Sequence, residues 1–272
     1  MAKRHEIRLG TCGWSYDDWV GPFYPEGTRS EDFLSVYSQH YDIIEVDSTF
    51  YRPPSADMVD RWRVVTPRKF QFTLKVPQLI THEKVLLGCR DDFRSFADTV
   101  KGLENKLYCV LLQFQYFNKQ AFPQPQKFFE RLEEFLDSAG DDVPIAVEIR
   151  NKTWLSPEWF DLLRRHKAMA VLVDHPWMPT IPDMIKRYDV LTGKTAYVRL
   201  IGDREAIEKQ TKSWEKVVID RSEPLEKTAE ALRQISANTD VIVFVNNHYA
   251  GHAPSTLTQL ATLIGRDESI DD

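Results

Sequence analysis

The chain is poor in cysteine: 272 residues carry three, Cys12, Cys89 and Cys109. They form no Cys-x-x-Cys and an odd number cannot all pair, which excludes a disulfide framework and implies a reducing compartment. No run approaches the roughly 18 apolar residues of a membrane span. Residues 1–9 are charged and lack the apolar core of a secretory signal, so the expected location is the cytoplasm, with no membrane partner. No Gly-x-Gly-x-x-Gly follows the first strand-like run, which removes the best support for an open dinucleotide-binding sheet. No Gly/Ser- or Pro-rich linker interrupts the chain, so residues 1–272 are read as one domain. A basic excess is missing too. The formal net charge of −6 argues against a generally basic nucleic-acid-binding surface, although a local groove would not show in a net count.

What the chain does have is a series of short apolar runs that end in charged or amide side chains. Ile145-Ala-Val-Glu-Ile-Arg150 is the clearest, with Glu148 and Arg150 interrupting a strand-like stretch. A buried parallel strand should read as nearly continuous Val, Ile and Leu, so charges at its downstream end need a reason. The same ending recurs at Glu45 and Asp47, at Lys75, at Gln113, at Asp174 and His175, at Arg199, and at Asn246, Asn247 and His248. Strand-like runs at 7–12, 43–47, 70–76, 107–113, 145–150, 170–174, 195–201 and 241–245 alternate with helical patterns, which predicts parallel pairing in an α/β fold. Eight strands whose polar ends meet predict a TIM-type (β/α)8 barrel with a site at its C-terminal face.

Helix signals support the alternation. Thr28 and Glu31 have the spacing of a capping box, Ser156-Pro157-Glu158 reads as a helix start, and Ser255 is expected to cap a helix that Gly265 ends. The densely charged stretch 204–227 reads as a solvated, helix-rich excursion.

Particular motifs run along nearly the whole chain: Gly10-Thr-Cys-Gly-Trp-Ser-Tyr16, Glu45-Val-Asp-Ser-Thr-Phe-Tyr-Arg52, Phe70-Gln-Phe-Thr-Leu-Lys75, Thr81-His82, Leu112-Gln113-Phe114, Val147-Glu148-Ile149-Arg150, Tyr197-Val-Arg-Leu200 and Asn246-Asn-His-Tyr-Ala-Gly-His-Ala-Pro254. In this order they resemble the DUF72, or YecE-like, family, a resemblance that implies a TIM barrel and no particular reaction. The chain departs from the family's usual pattern at Cys12, Asp47, Gln115-Tyr116 and Ile201, where serine, asparagine, a double proline and histidine are common.

Three functional readings follow from the strand-end residues. In the first, an enzyme of hydrolase, lyase or isomerase type acts on a small polar or anionic ligand. Glu148 is its acid/base group, with Lys75 and Arg199 stabilising charge. Glu45, Trp14, Tyr51, His82, Gln113, Arg150, Asp174, Asn247 and His248 are expected to bind or orient the ligand. Arg199, Gly202, Gly251 and the helix amides near Ser255 follow strands seven and eight, the usual phosphate position in this architecture. For Glu148 the bland counterpart is a structural ion pair with Arg150 or Arg199. In the second reading the rim holds nucleic acid. In the third, His82, His175, His248 and His252 join the acids around a divalent metal, as in endonuclease IV-like barrels. These histidines show no short ligand spacing, so no metal or other cofactor is expected. The sequence sets no oligomeric state.

Overall fold

The computed structural model describes residues 5–140 and 142–265. Eight parallel strands form the ring: β1 Ile7–Thr11, β2 Ile43–Val46, β3 Gln71–Lys75, β4 Leu107–Gln113, β5 Ile145–Glu148, β6 Met169–Asp174, β7 Ala196–Leu200 and β8 Val241–Val245. Their order, β1-β8-β7-β6-β5-β4-β3-β2, is that of a (β/α)8 barrel. Laddered pairs join every neighbour except β1 and β2. There a single bridge, Cys12 to Glu45, closes the ring, with Gly13 N–H donating to Glu45 O at 2.8 Å. Gly10 makes this seam possible: a Cβ at that position would lie 2.4 Å from Ile43 O.

Helices α1 Phe33–His40, α2 Ala56–Val65, α3 Arg90–Val100, α4 Pro125–Ala139, α5 Pro157–Arg165, α6 Ile181–Arg187, α7 Arg204–Gln210, α8 Ser222–Ser236 and α9 Ala253–Leu263 alternate with the strands, with short 3-10 and π-helical turns in the loops. None is long and apolar enough to cross a membrane. Helix α5 starts as its sequence dictates, with Ser156 accepting from Trp159 N–H and Pro157 in the first turn. Two expected caps are corrected. The Thr28 hydroxyl donates back to Pro25 O within a local turn, and α1 begins only after Asp32, so no capping box forms. At α9 the cap is His252, whose Nδ1 accepts from Ser255 N–H.

The strands bury two separate cores. Alternate side chains pack outward under the helices. The others, among them Ile43, Cys109, Leu111, Ala146, Met169, Tyr197, Ile242 and Phe244, fill the barrel as an apolar plug. Because the interior is packed, polar side chains at the next inward positions are held at its C-terminal mouth.

Candidate functional site

The inward strand-end residues form two tiers. The lower tier, Glu45, Glu148 and Arg199, is buried. Arg199 stands between the acids: Nη1 donates to Glu148 Oε2 at 2.6 Å, and Nη2 and Nε donate to Glu45 Oε1 at 2.6 and 3.1 Å. The Tyr197 hydroxyl donates to Glu45 Oε2 at 2.5 Å, and Arg150 Nε to Glu148 Oε1 at 2.5 Å. Burial pushes both carboxyl groups up, but the balance differs. At Glu148 the guanidinium groups of Arg150 and Arg199 outweigh burial and hold it down at about 2. Glu45 has Arg199 against burial and the like charge of Asp47, and its pKa stays raised.

Cys12, Glu45 and Asp47 offer ligand atoms within 4.8 Å of one another, a group of metal-binding type. Arg199 Nη2 already lies 2.6 Å from Glu45, 3.5 Å from Asp47 and 3.9 Å from Cys12 Sγ. The cation of this cluster is therefore a guanidinium, and a divalent ion would have to displace it. Burial also raises the Cys12 thiol well above its usual pKa, so beside Arg199 it is a neutral thiol. The histidines do not gather into a second group. His248 faces Asn246 and Glu208, while His252 caps α9.

The upper tier is reachable from solvent and less completely paired. Lys75 Nζ lies 4.1 Å from the centre of the Phe50 ring and makes no hydrogen bond among the described residues. Burial lowers its pKa, with Asp47 opposing. Asp47 Oδ1 is buried without a hydrogen bond among the described residues, with Arg199 Nη2 3.5 Å away. Arg150 spends Nε on Glu148, and its two terminal nitrogens have no hydrogen-bond partner among the described residues. Gln113, beside Glu148 in the strand register, turns its amide onto Phe114 O. His82 sits on a π-helical turn, Leu79–Glu83, with its ring 4.8 Å from Phe50. Burial first, then Lys75 and Arg150, lowers His82 to about 4; burial and then Arg150 do the same to His175. Both imidazoles are neutral near pH 7.

Glu45, Lys75, Gln113, Glu148, Arg150, Arg199 and His82 thus share one end of the barrel. Asp174 does not join them. It alternates with the inward Val171 and Val173, so its side chain points outward, into a groove lined by Thr180, Lys186 and Lys227. Trp14 packs edge-on against Trp62, stapling its loop to α2, and Tyr51 projects into solvent. The expected phosphate position is closed by the chain itself. A Cβ at Gly251 would meet Lys216 O at 2.6 Å, and Ala253 N–H and Ser255 N–H are taken by Asn247 Oδ1 and His252 Nδ1. Asn247 and His248 accordingly build the loop. The residues that sequence reasoning left off its site are Asp47, Tyr197 and His175. Asp47 is legible as the next inward position after Glu45, and Tyr197 as the inward position before Arg199, although it sits in an apolar run.

A cavity of about 680 Å³ opens at the opposite end, lined by residues including Leu136, His166, Met169 and Lys194. It gathers none of the inward strand-end charges, and the mouth is the better candidate.

The sequence pattern of the family described as protein of unknown function DUF72 matches residues 8–271. The chain belongs to the DUF72 family. Its relatives include UPF0759 protein YunF of Bacillus subtilis (strain 168), 28% identical over 183 residues, which are 65% of this chain and 60% of YunF. UPF0759 protein YecE of Escherichia coli (strain K12) is 30% identical over 146 residues, 53% of this chain and 48% of YecE. The matches thus span about half to three-fifths of these curated relatives. A solved DUF72 family protein from Thermotoga maritima MSB8 is 28% identical with a TM-score of 0.78, covering 96% of this chain and 99% of that one. The barrel is therefore the DUF72 fold.

Proposed function

We propose that this chain is an acid/base enzyme for a small hydroxylated or anionic ligand, performing hydrolysis, elimination or isomerisation at the C-terminal mouth. One observation carries the reading. Beneath the mouth Glu45 and Glu148 are both hydrogen-bonded to Arg199, whereas among the described residues Lys75 Nζ has no hydrogen-bond partner and Asp47 Oδ1 has none either, meeting only Arg199 Nη2 at 3.5 Å. A structural network has little use for unsatisfied ends, and an active site needs them. Lys75 is the proton-transfer group, since burial brings its amine closer to neutral working pH. Asp47 is its charge partner, and Arg150 meets negative charge on the ligand. Glu148, the first choice from sequence, is assigned to holding Arg150 and Arg199. Both its oxygens are occupied, and an acid at about 2 carries no proton to donate near pH 7. Arg199 holds Glu45 and Glu148 and stays beneath the ligand.

The test is a thermal-shift screen of hydroxy acids, sugars and sugar phosphates on wild type, Lys75→Met and Asp47→Asn. Binders are then followed by proton NMR in D2O. The expected result is solvent deuterium entering a binder, or conversion of it, with wild type and not with Lys75→Met. Binding without exchange or turnover would return the chain to the class of binding modules. The nucleic-acid alternative predicts instead that oligonucleotide affinity falls about a thousandfold between 50 and 200 mM salt.

A further inference from the structure

The side of the mouth around Arg150 carries an aromatic wall that the proton-transfer reading leaves unused. Tyr116 follows β4 and Trp177 follows β6, so they flank the β5 loop that bears Arg150. Both are large and exposed, at 55% and 58%, yet they meet edge to face with ring centres 6.2 Å apart. Trp177 also packs edge-on against His175 at 5.1 Å, and its backbone N–H donates to His175 Nδ1 at 3.3 Å. That bond fixes the proton of the neutral ring on Nε2. Arg150 is 13% exposed at its side chain, with Nε pinned by Glu148 and its terminal nitrogens without hydrogen bonds among the described residues. A guanidinium clamped at one edge presents the other as a pre-organised fork, the geometry that a carboxylate or phosphate takes in two parallel bonds.

From this juxtaposition we infer that the ligand of the mouth is a ring-bearing oxyanion, its ring stacked on Trp177 and Tyr116 and its anionic group on the outer edge of Arg150. The inference rests on the proton-transfer reading for what happens next, and on the wall and the fork for what binds. A carboxylate and a phosphate monoester share the chemistry that Arg150 recognises, and a flat ring or the apolar face of a sugar suits the wall. Asp47 and the buried acids disfavour an anion placed deeper, which keeps the charge at Arg150 and the uncharged part of the ligand over Lys75.

Calorimetry on the full chain tests this with four probes: inorganic phosphate, phenyl phosphate, benzoate and glucose 6-phosphate. At least one ring-bearing probe should bind about tenfold or more tightly than inorganic phosphate. Trp177→Ala should remove that advantage and leave inorganic phosphate unchanged. Arg150→Lys, which keeps the charge beside Glu148 but loses the fork, should weaken every probe. The ranking of phenyl phosphate, benzoate and glucose 6-phosphate then selects the anion and the ring. Equal affinities for ringed and ringless probes, or a Trp177→Ala variant that binds like wild type, would overturn the inference. A probe that binds in this pattern but neither exchanges nor turns over would leave the inference standing and defeat the enzyme reading.

Discussion

Two sides of the same mouth are built from loops of similar origin and end in opposite states. Above β7, β8 and β1 the chain fills its own space. Val218 and Ile219 N–H both donate to Ala250 O, Trp214 N–H donates to Asp18 Oδ2, and the Trp214 ring lies 4.8 Å from His248. Glycines permit the closeness: a Cβ at Gly202 would fall 2.5 Å from Tyr249 Cα. The seal has a cost. Among the described residues Trp19 Nε1, Asn247 Nδ2 and His252 Nε2 are buried without hydrogen-bond partners, each a penalty of about 1–3 kcal/mol where no water reaches it. Above β2 to β6 the loops touch one another, Phe50 against His82 and Tyr116 against Trp177, yet leave Tyr51, Tyr116 and Trp177 exposed and, among the described residues, Lys75 Nζ and the terminal nitrogens of Arg150 without hydrogen bonds. A barrel with one side filled by its own chain offers a ligand the other, and the expected phosphate position lies on the filled side.

The largest effect expected is at the base of both sides. Glu148→Gln leaves two guanidiniums short of a carboxylate and should cost on the order of 3–5 kcal/mol in denaturant unfolding. A nearly neutral result would restore Glu148 as the acid/base group. The same residue sets an acid limit. Its folded pKa of about 2 lies below the ordinary 4.5, so its stabilisation is complete above pH 4.5 and is lost as pH falls from there towards 2. His82, His175 and His252, lowered from 6.5 to about 4, act in the same direction earlier, because the unfolded chain takes up protons there before the folded one does. Stability should therefore decline in two steps, from pH 6.5 to 4 and again below 4.5. Glu45, raised, opposes the second step. A midpoint series against pH that stays flat down to 4 would contradict this.

A pair of glycines sharpens the contrast between the sides. Gly202 and Gly88 both have positive φ, +71° and +56°, but a Cβ at Gly88 meets nothing within 4 Å. Gly202→Ala, which drives a carbon into backbone on the filled side, should cost about 3 kcal/mol, and Gly88→Ala only the conformational part, about 1 kcal/mol. Equal costs would mean that the filled side yields. Smallest of all, Trp177→Ala should change stability by less than about 0.5 kcal/mol, since the ring is exposed, while lowering ligand affinity.

Much of this architecture was legible because strand polarity is a local signal. Residues 107–113 and 241–245 form strands with the expected bounds, and Glu45, Lys75, Glu148 and Arg199 meet where inward alternation sends them. Asp174 was misplaced for a physical reason: β6 is apolar on both faces, so its alternation has no contrast to read. The filled side was hidden because residues 213–219 reach Gly251 and Asp18 across the fold, and no spacing within either segment announces such a contact. Ser255 misled as a cap although Pro254 stands just before it, in the first turn of α9, which places the start at His252.

The seam between β1 and β2 gives the ring a designated place to part. One bridge, Cys12 to Glu45, stands where every other neighbour has a ladder. Parting β1 from β2 at that joint would expose the Cys12 thiol and separate it from Glu45, which Arg199 holds from β7. The thiol is thus a built-in reporter. The rate at which a maleimide reaches Cys12 under native conditions is expected to report how often that seam opens.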